Sequence, residues 1–176
     1  TPPPGVIFGK GTEQRVGALV REYGGTRVLI VYGARAPSAP VCWTGLKIAG
    51  RGWHFQLDAG RRRAEPHLDK VYEGIRIGKE NSINFLLAVG GGSVIDTAKA
   101  IAYGLAEPEK DVWELHEHTR TARKCLPVAS ILTIAAAGSE TSNSSVITRV
   151  DTHQKRAYND DISRPKFAIM DPSSPR

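Results

Sequence analysis

The chain has 176 residues, 40% hydrophobic and 24% charged, enough for one soluble domain with its own core and too polar for a membrane-embedded protein. No apolar run approaches the ~20 residues of a membrane span, and the opening TPPPGVIFGK lacks the basic-then-apolar order of a signal peptide. The net charge of +6, with pI near 9.5, does not point to nucleic acid. Six basic and two acidic residues between Ala34 and Glu65 supply most of it, as expected of a local solvated stretch. Cys42 and Cys125 are the only cysteines, with no CxxC spacing, which suggests a reducing, cytoplasmic setting without disulfide or zinc frame.

Gly5–Gly11 reads as a short strand closed by glycines. Thr12–Tyr23 reads as an amphipathic helix, with Thr12 as N-cap and Val16, Leu19, Val20 and Tyr23 behind it. Thr26–Tyr32, TRVLIVY, is a strand of the doubly buried type, followed by Gly33. From Ala34 to Ala64 the periodicity is lost and Ala, Arg, Gly and Pro dominate; only Trp53–Leu57 alternates like a short strand. Pro66–Glu80 is a surface helix with Leu68, Val71, Ile75 and Ile77 on its apolar side, and His67 is a polar surface residue before its first turn.

Asn84–Lys99, NFLLAVGGGSVIDTAK, organises the rest. Phe85–Val89 is a buried strand, Gly90, Gly91 and Gly92 form a turn, and a helix starts with Ser93 as N-cap. The first amides of a helix lack internal acceptors and carry partial positive charge, so an anion such as a pyrophosphate can rest there. The spacing is not G-x-G-x-x-G, and it leaves a phosphate cradle and a structural turn equally open.

Glu107–His118 is expected to be a solvated turn. His116 and His118, two apart, do not face each other on a helix and so would not converge on an ion. Cys125–Ile134 is another apolar strand. The Ser-, Thr- and Asn-rich turn of Ala135–Ser145 suits hydrogen bonding to a ribose or amide, or local capping. Val146–Arg149 and Lys155–Tyr158 read as short strands about a turn at 151–153, and Lys166–Met170 as a last strand stopped by Asp171 and Pro172. The alternation predicts an α/β domain with a mostly parallel sheet. Ligands in such sheets bind at the carboxyl ends of strands, so Gly33, Gly90–Ser93 and Gly138–Asn143 are expected to line one crevice.

AVGGGSVIDTAKAIA at Ala88–Ala102 resembles the GGGS-x-x-D-x-x-K motif of the iron-containing alcohol dehydrogenase family. LTIAAAGSETSNSSVIT at Leu132–Thr148 resembles its T-x-x-x-T-G-S-E segment, and IFGKG, RVLIVYG and AIMDP agree in order and spacing. The subgroup most resembled is the butanol dehydrogenase type, commonly NADP-linked. The resemblance covers about Gly5–Gly33 and His67–Pro172. It implies a Rossmann-like dinucleotide-binding domain without the family's C-terminal helical domain, where an Asp and three His hold iron or zinc. It also implies hydride transfer between NADP (or NAD) and a small aldehyde or alcohol, and a homodimer for the full-length enzyme. No metal ligand is assigned to this chain, and the fragment alone is expected to be inactive.

Carried over residue by residue, Gly91, Gly92 and Ser93 match the pyrophosphate loop, and Asp96 matches the motif Asp near the nicotinamide ribose. Thr133 matches the first Thr of the second segment, and Lys155 matches a lysine that reaches the cofactor. Lys99 fits the motif equally well as a packing or salt-bridge residue. The family's Asn after GSE-x falls on Ser142, with Asn143 one position late, and Ala137 replaces a usual Thr. Gly33 opens the turn that meets the adenosine ribose. Ala34-Arg35-Ala36 follows it, with no carboxylate for a 2′-OH and an Arg35 suited to a 2′-phosphate, which favours NADP. Nothing in 34–64 matches the family; a shifted reading frame and a divergent insertion both account for that. The rival readings are a nucleotide-binding remnant without activity and the glycerol dehydrogenase or dehydroquinate synthase branch.

Overall fold

The computed structural model describes residues 5–33, 51–57, 65–133 and 138–171. The strands are β1 (Gly5–Phe8), β2 (Arg27–Gly33), β3 (Arg51–Leu57), β4 (Phe85–Gly90), β5 (Val128–Leu132), β6 (Ser144–Arg149), β7 (Gln154–Asn159) and β8 (Phe167–Met170). The helices are α1 (Val16–Glu22), α2 (Leu68–Glu80), α3 (Gly92–Ala106) and the single turn α4 (Trp113–His116). Six strands form one parallel sheet in the order β1-β8-β5-β4-β2-β3, and β6 and β7 form an antiparallel hairpin. The chain is thus Rossmann-like, and the one expected strand within 34–64 is present, extended back to Arg51 and paired with β2.

Alternation along the strands sorts side chains onto two faces. Leu29, Val31, Leu86 and Ala88 pack with α2 and α3 on one side. Val28, Ile30, Phe85, Leu87 and Val89 pack with Val16 and Val20 of α1 on the other. β4 is buried throughout, which is why it reads as a continuous apolar run. Asn84 pins the starts of β2 and β4: its Oδ1 accepts from the amides of Thr26 and Arg27 at 3.1 and 2.9 Å.

Three expectations are corrected. Thr12 is not a side-chain cap; Gly11, at φ 77°, holds that position before a 3-10 turn at Thr12–Arg15, and Thr12 Oγ1 donates instead to the Gly9 carbonyl at 2.7 Å. Ser93 is not the N-cap of α3; Gly91 is, in extended conformation and with no side-chain cap bond. Nor is the whole of 107–118 a solvated turn. Trp113, Leu115 and His116 are buried, because His116 stacks on Trp113 (centroids 5.7 Å apart, 10° between planes) and both fill the core beneath Tyr158. Among the described residues no helix is long and apolar enough to cross a membrane.

Candidate functional site

From β2 the chain steps outward to β3, whereas from β4 it steps the other way, to β5 and β8. The direction of winding therefore reverses between β2 and β4. A parallel sheet opens a crevice at the carboxyl ends of the strands at such a point. Tyr32 pairs with Val89 and Gly90 with Leu132, so Gly33, the Gly90–Ser93 turn and Thr133 all lie on that edge. Thr133 N–H donates to the Gly90 carbonyl at 3.2 Å and ties the ends of β4 and β5 together.

The turn into α3 leaves its helix end unblocked. The first bonds run from the amides of Val94 and Ile95 to the Gly91 carbonyl, at 3.1 and 3.2 Å. The amides of Gly92 and Ser93 have no intrahelical acceptor, and Gly91, Gly92 and Ser93 are all half-buried rather than sealed. With glycine at the cap and at the first helical position, no side chain competes for those donors. An uncapped helix end of this kind is where an anion such as a pyrophosphate can be held.

One turn further, Asp96 is 8% exposed. Its Oδ2 accepts from the Val146 amide at 3.3 Å, its carbonyl accepts from Ser145 Oγ at 2.9 Å, and its Oδ1 is buried without a partner among the described residues. Burial raises its pKa, while the nearby charge of Lys99 opposes the shift. Lys99 is fully buried, and its Nζ donates to the carbonyls of Ser139, Ser142 and Ser144, each at 2.9 Å. Burial lowers its pKa to about 8.

The second polar turn thus hangs from α3. Ser142 is half-buried, and its Oγ accepts from the Ser144 amide at 3.3 Å. Asn143 is half-buried, and its Nδ2 donates to Asp161 Oδ1 at 2.9 Å, so its side chain is engaged locally. Lys155 is exposed on β7 opposite Thr148, close enough to Asp96 for its charge to act on that carboxylate. Gly33, Gly91, Gly92, Ser93 and Thr133 are brought to one edge. Asp96 faces the β6 side, and Ala137 and Arg35 lie outside the described residues.

Sequence reasoning left Lys99 undecided; the signal was a cation among Ala98, Ala100 and Ile101, in a helix buried almost all round. It gave Ser139, Ser144 and Ser145 no individual role within the 135–145 turn, because their partners lie 40 or more positions away.

The family model described as iron-containing alcohol dehydrogenase matches residues 3–172. The NADH-dependent butanol dehydrogenase A of Clostridium acetobutylicum is 36% identical over 97% of this chain and 44% of its own length. An NADPH-dependent aldehyde reductase of Escherichia coli is 31% identical over the same shares. The crystal structure of NADH-dependent butanol dehydrogenase A from Thermotoga maritima superposes with a TM-score of 0.88 at 31% identity, covering 98% of this chain and 44% of that one. The chain therefore spans less than half the length of the relatives it matches. A glycine turn at the switch point and a family match that runs from residue 3 to residue 172 lead to one conclusion: the chain belongs to the iron-containing alcohol dehydrogenase family.

Proposed function

We propose that this chain is the dinucleotide-binding half of an NAD(P)-dependent alcohol dehydrogenase or aldehyde reductase. The observation that carries the reading is the uncapped start of α3 at the half-buried Gly92 and Ser93, at the reversal point of the sheet. A bound nicotinamide would give a hydride to an aldehyde or take one from an alcohol, and the residues of this chain would bind and orient the cofactor. Gly91, Gly92 and Ser93 hold the pyrophosphate. Gly33 and Thr133 border it on the neighbouring strand ends. Ser142, Asn143 and Lys155 line the side given by the second turn and the hairpin, and Asp96 braces the ribose side from below. The substrate class is a small aldehyde or alcohol, by likeness to relatives named for butanol and aldehydes.

Among the described residues no three His, Cys, Asp or Glu side chains gather where they would hold a metal ion. The described residues therefore offer no ligand set for the metal of the iron-containing family. The choice of NADP over NAD rests on Arg35, whereas the relatives at 36% and 38% identity are named for NADH. Titration of the 176-residue chain with NADPH and NADH, followed by nicotinamide fluorescence, tests the reading. Saturable binding of either supports it, tighter NADPH binding supports the role of Arg35, and binding of neither overturns it.

A further inference from the structure

We propose that Lys99 is a positioning residue of the dinucleotide site, which draws three carbonyls of the 139–144 turn inward and so aims that turn's outward amides at the ligand. The inference rests on the proposed dinucleotide reading. An ammonium has three donors, and here each has a backbone acceptor at 2.9 Å, on Ser139, Ser142 and Ser144; Ser142 Oγ at 3.4 Å is a fourth, weaker contact.

In a trans peptide the N–H points opposite to the preceding C=O. Turning the carbonyls of Ser139 and Ser142 toward buried Lys99 therefore turns the amides of Glu140 and Asn143 away from the core, and both residues are half-buried at the surface. The same turn satisfies its other amides internally: Thr141 and Ser142 donate to the Gly138 carbonyl at 3.1 and 3.0 Å. Two outward donors are thus set at a fixed distance from the Gly92 and Ser93 amides, because α3 carries both the glycine turn at its start and Lys99 two turns later. Their chemistry suits acceptor oxygens of the dinucleotide.

The charge matters as well as the shape, because a neutral amine has only two N–H groups and would leave one of the three carbonyls facing a lone pair. The charged and titratable groups that act on Lys99 are Asp96 on its own helix, Glu140 on the turn, Arg164 before β8 and Cys125 before β5. Burial holds its pKa near 8, so the ammonium is lost within an accessible pH range.

Three measurements test the proposal. In Lys99→Met, amide hydrogen exchange over residues 138–146 accelerates while that of β4 and β5 is unchanged, and the NADPH Kd rises about tenfold. Lys99→Gln, which keeps two donors, falls between wild type and Lys99→Met, and it stands in if the methionine variant does not fold. The wild-type Kd weakens as pH rises from 7 to 9, and Lys99→Met shows no such step. Unchanged exchange of 138–146, or pH profiles that coincide in the two proteins, overturns the positioning role. Failure of the wild-type chain to bind either dinucleotide overturns the function reading instead, and is separable because the exchange measurement needs no ligand.

Discussion

Gly90 and Val94 stand so close that a Cβ placed on the glycine would lie 2.6 Å from Val94 Cγ2 and 3.0 Å from its Cβ. Val94 is β-branched and helical, so it has little rotamer freedom with which to yield. Gly90→Ala is expected to destabilise the fold by about 2 kcal/mol, as overpacking does. Urea unfolding measures this, and unchanged stability would show that the turn relaxes freely.

Gly92→Pro separates the amide from the fold. Proline suits the first helical position, and Gly91 before it is already extended (φ −92°, ψ −168°), as a residue preceding proline prefers. The substitution removes one donor and covers the helix end. The expected outcome is a dinucleotide Kd raised by about tenfold or more with an unchanged melting temperature. Wild-type affinity in this variant argues that the phosphates rest elsewhere.

Lys155→Ala tests the exposed cation on β7. An exposed charge facing an anionic ligand through solvent contributes little, so the expected loss is about threefold in affinity, shrinking as salt is added. A salt-independent loss would mean a direct, desolvated contact instead.

His116 gives the fold an acid-side limit. Its Nδ1 lies 3.3 Å from the Val112 carbonyl and its Nε2 is buried without a partner among the described residues. Burial lowers its pKa from 6.5 to about 4. Between those values the unfolded chain binds a proton that the folded chain refuses, so stability falls as pH drops from 6.5 toward 4. The loss from this residue is on the order of 3 kcal/mol. Denaturation at pH 7 and pH 4.5 measures it, and His116→Phe, which keeps the stack on Trp113, should remove most of the difference.

Helices α2 and α3 meet through glycine. A Cβ on Gly74 would overlap Ile101 Cδ1 and lie 2.9 Å from Ile101 Cγ1, with Phe55 Cε1 at 3.3 Å behind it. Gly74→Ala is expected to cost about 1–3 kcal/mol. Differential scanning calorimetry reads the loss, and a rise in melting temperature would mean that helix propensity outweighs the clash.

The site's frame was legible because it is local. The run Phe85–Val89, its glycines and the helix behind them occupy neighbouring positions, and apolar periodicity reports burial directly. What was not legible depends on distant partners. Lys99 and the carbonyl of Ser139 are 40 positions apart, and nothing in either neighbourhood names the other. His116 looked solvated because Glu114, Glu117 and His118 surround it in sequence, while the rings that enclose it include Tyr158 from the hairpin. Gly74 and Gly78 weaken a helix pattern on paper. In space they are its buried face, a packing role that isolated helical glycines commonly signal.

Among the described strands the first of the sheet pairs with β8 alone: Gly5 lies against Phe167 and Phe8 against Met170. During synthesis β1 cannot pair with β8 until residue 170 has been made. Closing so distant a pair late is entropically slow. Val6 and Phe8, exposed at 53% and 71% in the described strand, are thus uncovered hydrophobic surface until that pairing forms and a natural target for a holdase.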